Sequence, residues 1–132
     1  MVQNINSLRS DFSAVKFLPI VFNFETTLAA SRDDLAIAKA LFDDFRAFVL
    51  EERQVLLQSI PRIASDQETL KKRVHRLKSS SGFVGAERVS RAAAELQKRL
   101  LARDAIKSIE EALHAVIDAM QEFSSLPSFE NG

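Results

Sequence analysis

The chain has 132 residues, which is enough for one compact domain with its own core but too few for two. Its 18 basic and 18 acidic residues cancel, so the overall charge gives no reason to expect nucleic acid or an anionic membrane as a partner. Cysteine is absent, which excludes disulfides, thiolate metal sites and cysteine nucleophiles.

The amino-acid sequence shows neither a targeting segment nor a membrane-spanning segment. The N-terminus lacks the basic start and long apolar run of a targeting segment. The longest apolar cluster, at 17–22, is far shorter than the roughly 20 residues that a membrane span needs. We therefore expect a soluble, cytoplasmic protein with no membrane contact.

The predicted organisation has three parts, all of them helical or irregular. Glycine and proline number three each, and apolar residues recur every three or four positions, which favours an all-α fold. Residues 1–26 are predicted to be an extension, either a short helix or an extended segment, that packs on one end of a helical bundle. They carry several phenylalanines, too many for a free tail: Phe12, Phe17, Phe22 and Phe24. The bundle itself is expected at 27–124, followed by a frayed tail at 125–132.

The first long helix is predicted to start at Ser31 and to end near Ile60. A serine cap followed by Asp33 and Asp34 suits the free amides and the dipole of a helix N-terminus. Pro61 lacks an amide hydrogen and should end or kink the helix. The predicted buried stripe is Leu35, Ala38, Leu41, Phe42, Phe45, Phe48, Val49, Val55 and Leu56.

The second helix is predicted to begin near Asp66. Ser65 and Glu68 have the spacing of a capping box. Gly82, further along, has two interpretations that the pattern leaves open. It either ends this helix or lies within it, where a missing side chain would let another protein approach closely. The residues expected to face inward are Leu70, Val74 and Leu77, with Ser81 as a further candidate.

Two further helices complete an up-down antiparallel four-helix bundle. They are predicted at 86–102 and 105–124, joined by a corner at Arg103-Asp104. The expected inward positions are Val89, Ala93, Leu96 and Leu100, then Ile106, Ile109, Leu113, Val116 or Ile117, Met120 and Phe123.

His75 lies on the polar side of the second helix. At about 100° per residue, a group of small or cationic residues falls within roughly 60° of it. An exposed neutral imidazole is a nucleophile that can attack phosphorus, and a nearby ammonium can hold phosphoryl oxygens. Small side chains on the same face would let a partner close over the ring. The residues of this face are Lys71, Lys72, Lys78, Ser79 and Gly82.

A wider pattern surrounds the histidine. Its positions are Asp66, His75, Leu77, Lys78, Gly85, Ala86, Arg88 and Val89. Over about Thr27 to Met120 the chain resembles the histidine-containing phosphotransfer (HPt) domains of multistep phosphorelays. The resemblance implies a four-helix bundle in which Nε2 of His75 accepts a phosphoryl group from a receiver-domain aspartate and passes it on, with Lys78 stabilising the phosphoryl oxygens. Ser79 departs from the glycine that is usual in the family at this place.

The resemblance also implies partners and a division of chemical labour. The expected partners are receiver domains of a hybrid sensor kinase, a response regulator, or both, and the receiver would supply the magnesium ion. The chain shows no ATP-binding motif and no metal motif of its own, so we expect a phosphohistidine carrier rather than an enzyme. A monomer is expected. The predicted docking residues are Lys71, Lys72, Arg76, Ser79 and Gly82.

Two other functions are compatible with a helical bundle. One is an adaptor that docks receiver domains or other signalling proteins without being phosphorylated. The other is a di-iron site, since Glu111 and His114 have Glu-x-x-His spacing. A di-iron site needs two such motifs and the chain has one, so His114 is interpreted as a surface residue.

Overall fold

A computed structural model describes residues 20–127 of the chain. Predictions that concern Phe12, Phe17 or the tail after residue 127 fall outside this range. Within it the chain forms helices and connecting turns. The elements are α1 (Phe24–Ala30), α2 (Leu35–Ser59), a 3₁₀ turn (Ile60–Arg62), α3 (Gln67–Val84), α4 (Glu87–Leu101) and α5 (Ile106–Ser124).

The four long helices α2 to α5 form the predicted bundle. Each packs against its neighbours in sequence, and α5 closes the ring by packing against α2. The all-α prediction is confirmed, because the residues described contain helices and no strand. The core is a single apolar cluster that runs through the bundle. Its largest fully buried side chains include Phe22, Phe42, Phe123, Leu56, Leu77, Leu96, Leu100, Ile109, Leu113 and Met120.

The short helix α1 and the residues before it cover one end of this bundle. Phe22 is fully buried, and its ring centroid lies 4.9 Å from that of Phe42 and 6.1 Å from that of Phe123. The backbone amide of Asn23 donates a hydrogen bond to the carbonyl oxygen of Gly85 at 2.7 Å. Aromatic packing and backbone bonding thus join this segment to the corner between α3 and α4.

The predicted start of the first long helix is wrong. The helix begins at Leu35, and Asp34 caps it by accepting hydrogen bonds from two amides of the first turn. Ser31 instead ends α1. Arg32 and Asp33 between them take left-handed backbone conformations, with φ of 54° and 62°. Because a helix cannot run through that turn, the cap moves three residues along the chain.

The predicted capping box at the start of the next helix is also wrong. Asp66 occupies the cap position of α3 but forms no side-chain hydrogen bond to the helix. The Ser65 hydroxyl belongs to the preceding turn, where it donates to the carbonyl oxygen of Arg62 at 3.3 Å. Glu68 pairs with Lys71 one turn further on, with 3.0 Å between Oε2 and Nζ. The helix nevertheless starts within one residue of the predicted place.

The two glycines near the end of α3 differ in what the backbone requires of them. The helix passes through Gly82 and ends at Val84, so Gly82 is not its terminus. Gly85 ends it with a left-handed φ of 90°. A Cβ atom at Gly85 would lie 2.5 Å from the carbonyl oxygen of Asn23 and 2.9 Å from Cβ of Thr26, so only glycine fits.

Burial follows the predicted stripes with a few exceptions. Leu35, Leu41, Phe48 and Val55 of α2 are only partly buried. Ile106, which was predicted to face inward, is 40 % exposed and is the first residue of α5. Val116 and Ile117 of α5, which were predicted as alternative inward positions, are both buried. The buried residues of the two helices are Ala38, Phe42, Phe45, Val49, Glu52 and Leu56, then Ile109, Ala112, Leu113, Val116, Ile117, Ala119, Met120 and Phe123.

Glu52 is a buried carboxylate that the apolar stripe does not anticipate. Its side chain is 6 % exposed, and both of its oxygens accept hydrogen bonds from Nη1 of Arg73, at 2.8 and 3.0 Å. Arg73 therefore turns toward α2 instead of joining the cations around His75. The pair joins α2 to α3. Truncating either partner would leave the other charge unpaired, so both are needed where these helices pack.

The part of the chain after α5 remains in contact with the bundle as far as it is described. Leu126 is partly buried against the core. Across residues 20–127, no helix combines the length and apolar character that crossing a membrane requires.

Candidate functional site

His75 is exposed in the middle of α3, on a helix whose other side is anchored in the core. Val74 and Leu77, its neighbours along the helix, are fully buried. Ser81 is buried as well, and its hydroxyl donates to the carbonyl oxygen of Leu77 at 2.6 Å. A small side chain that bonds back to its own helix needs no outside partner, which explains a serine on the inward face. The predicted phasing of α3 is therefore confirmed, and the imidazole points away from the core.

Lys78 and Gln97 surround the imidazole on the side facing α4. Nε2 of Gln97 lies 3.2 Å from Nδ1 of His75. Nζ of Lys78 donates to Oε1 of the same glutamine, also at 3.2 Å. One amide group thus connects the histidine and the lysine, and it holds the ring through Nδ1. This contact leaves Nε2 of His75 as the ring nitrogen directed away from the glutamine.

Gln97 was not among the residues singled out from the sequence. It lies on the next helix, where α3 and α4 form an antiparallel hairpin that turns at Gly85 and Ala86. His75 is eleven residues before Ala86 and Gln97 is eleven residues after it. Counting outward equally from the turn would have placed the two side by side.

Family comparison agrees with this geometry. The family model described as Hpt domain matches residues 40–125, which include all of α3, α4 and α5. The chain belongs to the Hpt domain family. Hpt domains carry phosphoryl groups on a histidine in phosphorelays and interact with receiver domains. Comparison with curated proteins gives no match, and comparison with solved structures gives none either.

The cations predicted around the histidine differ in how available they are to a partner. Lys72 is exposed. Lys71 pairs with Glu68, and this hydrogen bond lowers the pKa of the Glu68 carboxyl. The guanidinium of Arg76 lies over the ring of Phe48, with Cζ 5.9 Å from the centroid. Lys71, Lys72 and Arg76 therefore all lie on α3 within four residues of His75. The charge of Lys71 is partly neutralised by Glu68.

Ser79 and Gly82 follow the histidine on the same face, as predicted. Both are exposed. A Cβ atom at Gly82 would lie 3.5 Å from Oγ of Ser90, which is an ordinary contact. The bundle therefore does not require glycine at this position. What the glycine provides is a surface without a side chain one helical turn beyond Lys78.

An apolar groove borders this face on the side toward α2, and the sequence pattern did not indicate it. We call it the docking groove. Phe83 is its most prominent member, with 57 % of its surface exposed. The groove is lined by Leu41, Asp44, Phe45, Phe48, Ser79, Ser80, Phe83 and Val84.

His114 is the second histidine of the chain. It is exposed on α5, and its Nε2 lies 3.7 Å from Oε2 of Glu110. Glu111 and Asp118 are exposed on the same helix, three residues before it and four after it. Among residues 20–127 no three histidine, aspartate or glutamate side chains are grouped closely enough to hold a metal ion.

Proposed function

We propose that this Hpt domain receives a phosphoryl group on His75 from a receiver-domain aspartate and transfers it to a second receiver. The observation that carries the proposal is the exposed imidazole held through Nδ1 by Gln97, with the ammonium of Lys78 bonded to the same amide. A ring held through one nitrogen presents the other in a fixed direction. Fixed direction is what an in-line attack on phosphorus requires.

The proposed transfer needs little chemistry from the chain itself. The lone pair of Nε2 attacks the phosphorus of an aspartyl phosphate, and the new N–P bond forms as the bond from phosphorus to the aspartate oxygen breaks. The aspartate leaves as a carboxylate with the bonding electrons. Transfer to the second receiver is the same step in reverse. The magnesium ion and the acidic pocket would belong to the receiver.

Lys78 is proposed to stabilise the phosphoryl group. Its Nζ lies one hydrogen bond from the glutamine that holds the ring, and its side chain is exposed. A lysine stem with three donors can move from the amide to a phosphoryl oxygen, because its ammonium is not confined by packing. The cation would then offset the charge that arrives with the phosphate.

The receiver is proposed to dock over the face of α3 that carries His75, Ser79 and Gly82, with the docking groove along one side. Phe83 at 57 % exposure offers apolar surface to bury. Lys72 and Arg76 add positive charge next to it, which suits the acidic pocket of a receiver. A missing side chain at Gly82 keeps the approach to the imidazole open.

The experiment that tests the proposal is phosphoryl exchange with a phosphorylated receiver. We expect close to one label per chain, stable in alkali and lost in acid, as phosphohistidine is. A second, unlabelled receiver added afterwards should remove the label from the Hpt domain. Receivers that bind the chain without ever transferring label would instead identify it as an adaptor.

A further inference from the structure

Gln97 does more than hold the imidazole, because the orientation of its amide favours one position of the ring proton over the other. The ammonium of Lys78 has hydrogens to donate and no lone pair, so the amide atom that faces it must be the oxygen. That oxygen is Oε1, at 3.2 Å. The amide nitrogen consequently faces His75 and donates to Nδ1. In the neutral ring Nδ1 is then the acceptor, and the proton is on Nε2.

In this resting arrangement Nε2 points outward, as transfer requires, but it carries the proton and cannot yet attack phosphorus. A nitrogen that carries a proton has no lone pair in the ring plane with which to attack phosphorus. The productive tautomer has its proton on Nδ1 and a free lone pair on Nε2. It would be stabilised by an acceptor next to Nδ1, and Gln97 becomes that acceptor only when its amide is turned around.

We propose that Lys78 and Gln97 form a tautomer lock on His75, which the incoming phosphoryl group releases. As long as Lys78 holds Oε1, the amide nitrogen faces the ring and the proton stays on Nε2. When phosphoryl oxygens attract Lys78, the amide can rotate and accept a hydrogen bond from Nδ1–H. The proposal rests on the proposed function of His75 and assigns Gln97 as a positioning residue.

The proton and charge balance favour the released state for transfer. In the exposed site the ring loses the Nε2 proton to water and gains one from water at Nδ1. Attack by Nε2 then moves no further proton: the aspartate leaves as a carboxylate, and the phosphorylated ring keeps its Nδ1–H and becomes cationic. Oε1 of Gln97 would accept from that N–H and stabilise the cation. In the locked state the same attack would require a proton to leave the attacking nitrogen.

The experiment is nuclear magnetic resonance of the imidazole nitrogens in the unphosphorylated protein, in alkaline buffer and without a receiver. Long-range proton–nitrogen correlations report which nitrogen of His75 carries the proton. We expect the wild type to have a higher Nε2–H fraction than Gln97→Ala. Lys78→Met frees Oε1 and should shift the tautomer ratio toward Nδ1–H by roughly fivefold, about the effect of one net hydrogen bond.

Two further variants complete the design. Gln97→Glu offers the ring a permanent acceptor, so we expect the highest Nδ1–H fraction of the series. Lys98→Met removes an exposed cation next to Gln97 in sequence, and the tautomer ratio should stay at the wild-type value. A ratio that is the same in wild type, Lys78→Met and Gln97→Glu overturns the lock.

The lock and the proposed function can fail separately. The tautomer ratio is measured without phosphorylation, so a normal lock in a chain that accepts no phosphoryl group would contradict the proposed function alone. If His75 is phosphorylated but its tautomer ratio is unchanged by Lys78→Met and Gln97→Glu, the result contradicts the lock alone.

Discussion

His75 and His114 are both exposed histidines on long helices of one bundle, yet the charged side chains nearest to each on its own helix differ in sign. Near His75 lie Lys72 and Lys78, and Gln97 holds the ring. Next to His114 the charged groups on its own helix are carboxylates, the nearest being Glu110 at 3.7 Å. A phosphoryl group brings about two negative charges, which cations stabilise and carboxylates repel. In the proposed function, exposure alone therefore does not make a histidine a phosphoryl acceptor. The sign of the local charge and an anchored ring separate the two histidines.

The largest expected effect comes from removing each histidine in turn. His75→Gln should abolish labelling by a phosphorylated receiver, because it removes the proposed nucleophile. His114→Gln should retain the wild-type rate. Label retained by the first variant and lost by the second would reverse the comparison.

Removing the cation next to His75 is expected to have the next largest effect. Lys78→Met should slow phosphoryl transfer by about tenfold overall, because the loss of a donor to the developing charge on the phosphoryl oxygens outweighs the gain in the Nδ1–H tautomer. Stability should change by less than about 0.5 kcal/mol, as is usual for an exposed site. Stopped-flow transfer rates and thermal unfolding measure the two quantities, with Lys98→Met as the matched control. A large loss of stability would show that Lys78 supports the fold instead.

Gly82 offers a steric version of the same comparison. Gly82→Arg should weaken receiver binding by roughly tenfold, because a long side chain would stand between the partner and the imidazole. Gly82→Ala is the matched control. Its Cβ meets Ser90 Oγ at an ordinary 3.5 Å, and alanine should stabilise the helix by up to about 1 kcal/mol with binding retained. Equal binding by both variants would remove the close-approach role.

Phe83 tests whether the docking groove is part of the receiver interface. Phe83→Ser should reduce receiver affinity severalfold, since it removes about half of a phenylalanine's surface from the contact. Leu50, which is 53 % exposed and lies outside the groove, provides the control. Isothermal titration of Phe83→Ser and Leu50→Ser should separate the two positions, and equal affinities would place the groove outside the interface.

The smallest expected effect separates two neighbouring lysines. Lys71 already pairs with Glu68, whereas Lys72 is exposed. We expect Lys72→Met to reduce the rate of receiver association by about twofold and Lys71→Met to reduce it less, because exposed charges act mainly on association. Association rates at low and high salt measure this difference. A larger effect at Lys71 would mean that the ion pair opens when the receiver docks.

Periodic features of this fold were predictable from the sequence, and features that depend on contacts between segments were not. The apolar spacing of α3 placed Val74 and Leu77 in the core and His75 outside it, because helical geometry follows from spacing alone. Ser31 was a plausible cap by residue type. Left-handed conformations at Arg32 and Asp33 moved the cap to Asp34, and short-range preferences do not reveal such a turn.

The candidate site shows the same division. His75 and Lys78 are one turn apart on a single helix, so their proximity follows from sequence spacing. Gln97 contacts both from a different helix, and its contact depends on the register of the α3–α4 hairpin. That register is set by the turn at Gly85, where a side chain would collide with the backbone of Asn23. Contacts of this kind require the packed structure.

The central claim is that Nε2 of His75 is the phosphoryl acceptor, and site mapping on the phosphorylated chain tests it most directly. The Hpt domain would be phosphorylated by a receiver, kept in alkaline buffer and studied by phosphorus–nitrogen correlation in nuclear magnetic resonance. We expect a single phosphorus bonded to Nε2 of His75. Phosphorus on His114, on Nδ1 of His75 or on no histidine at all would contradict it.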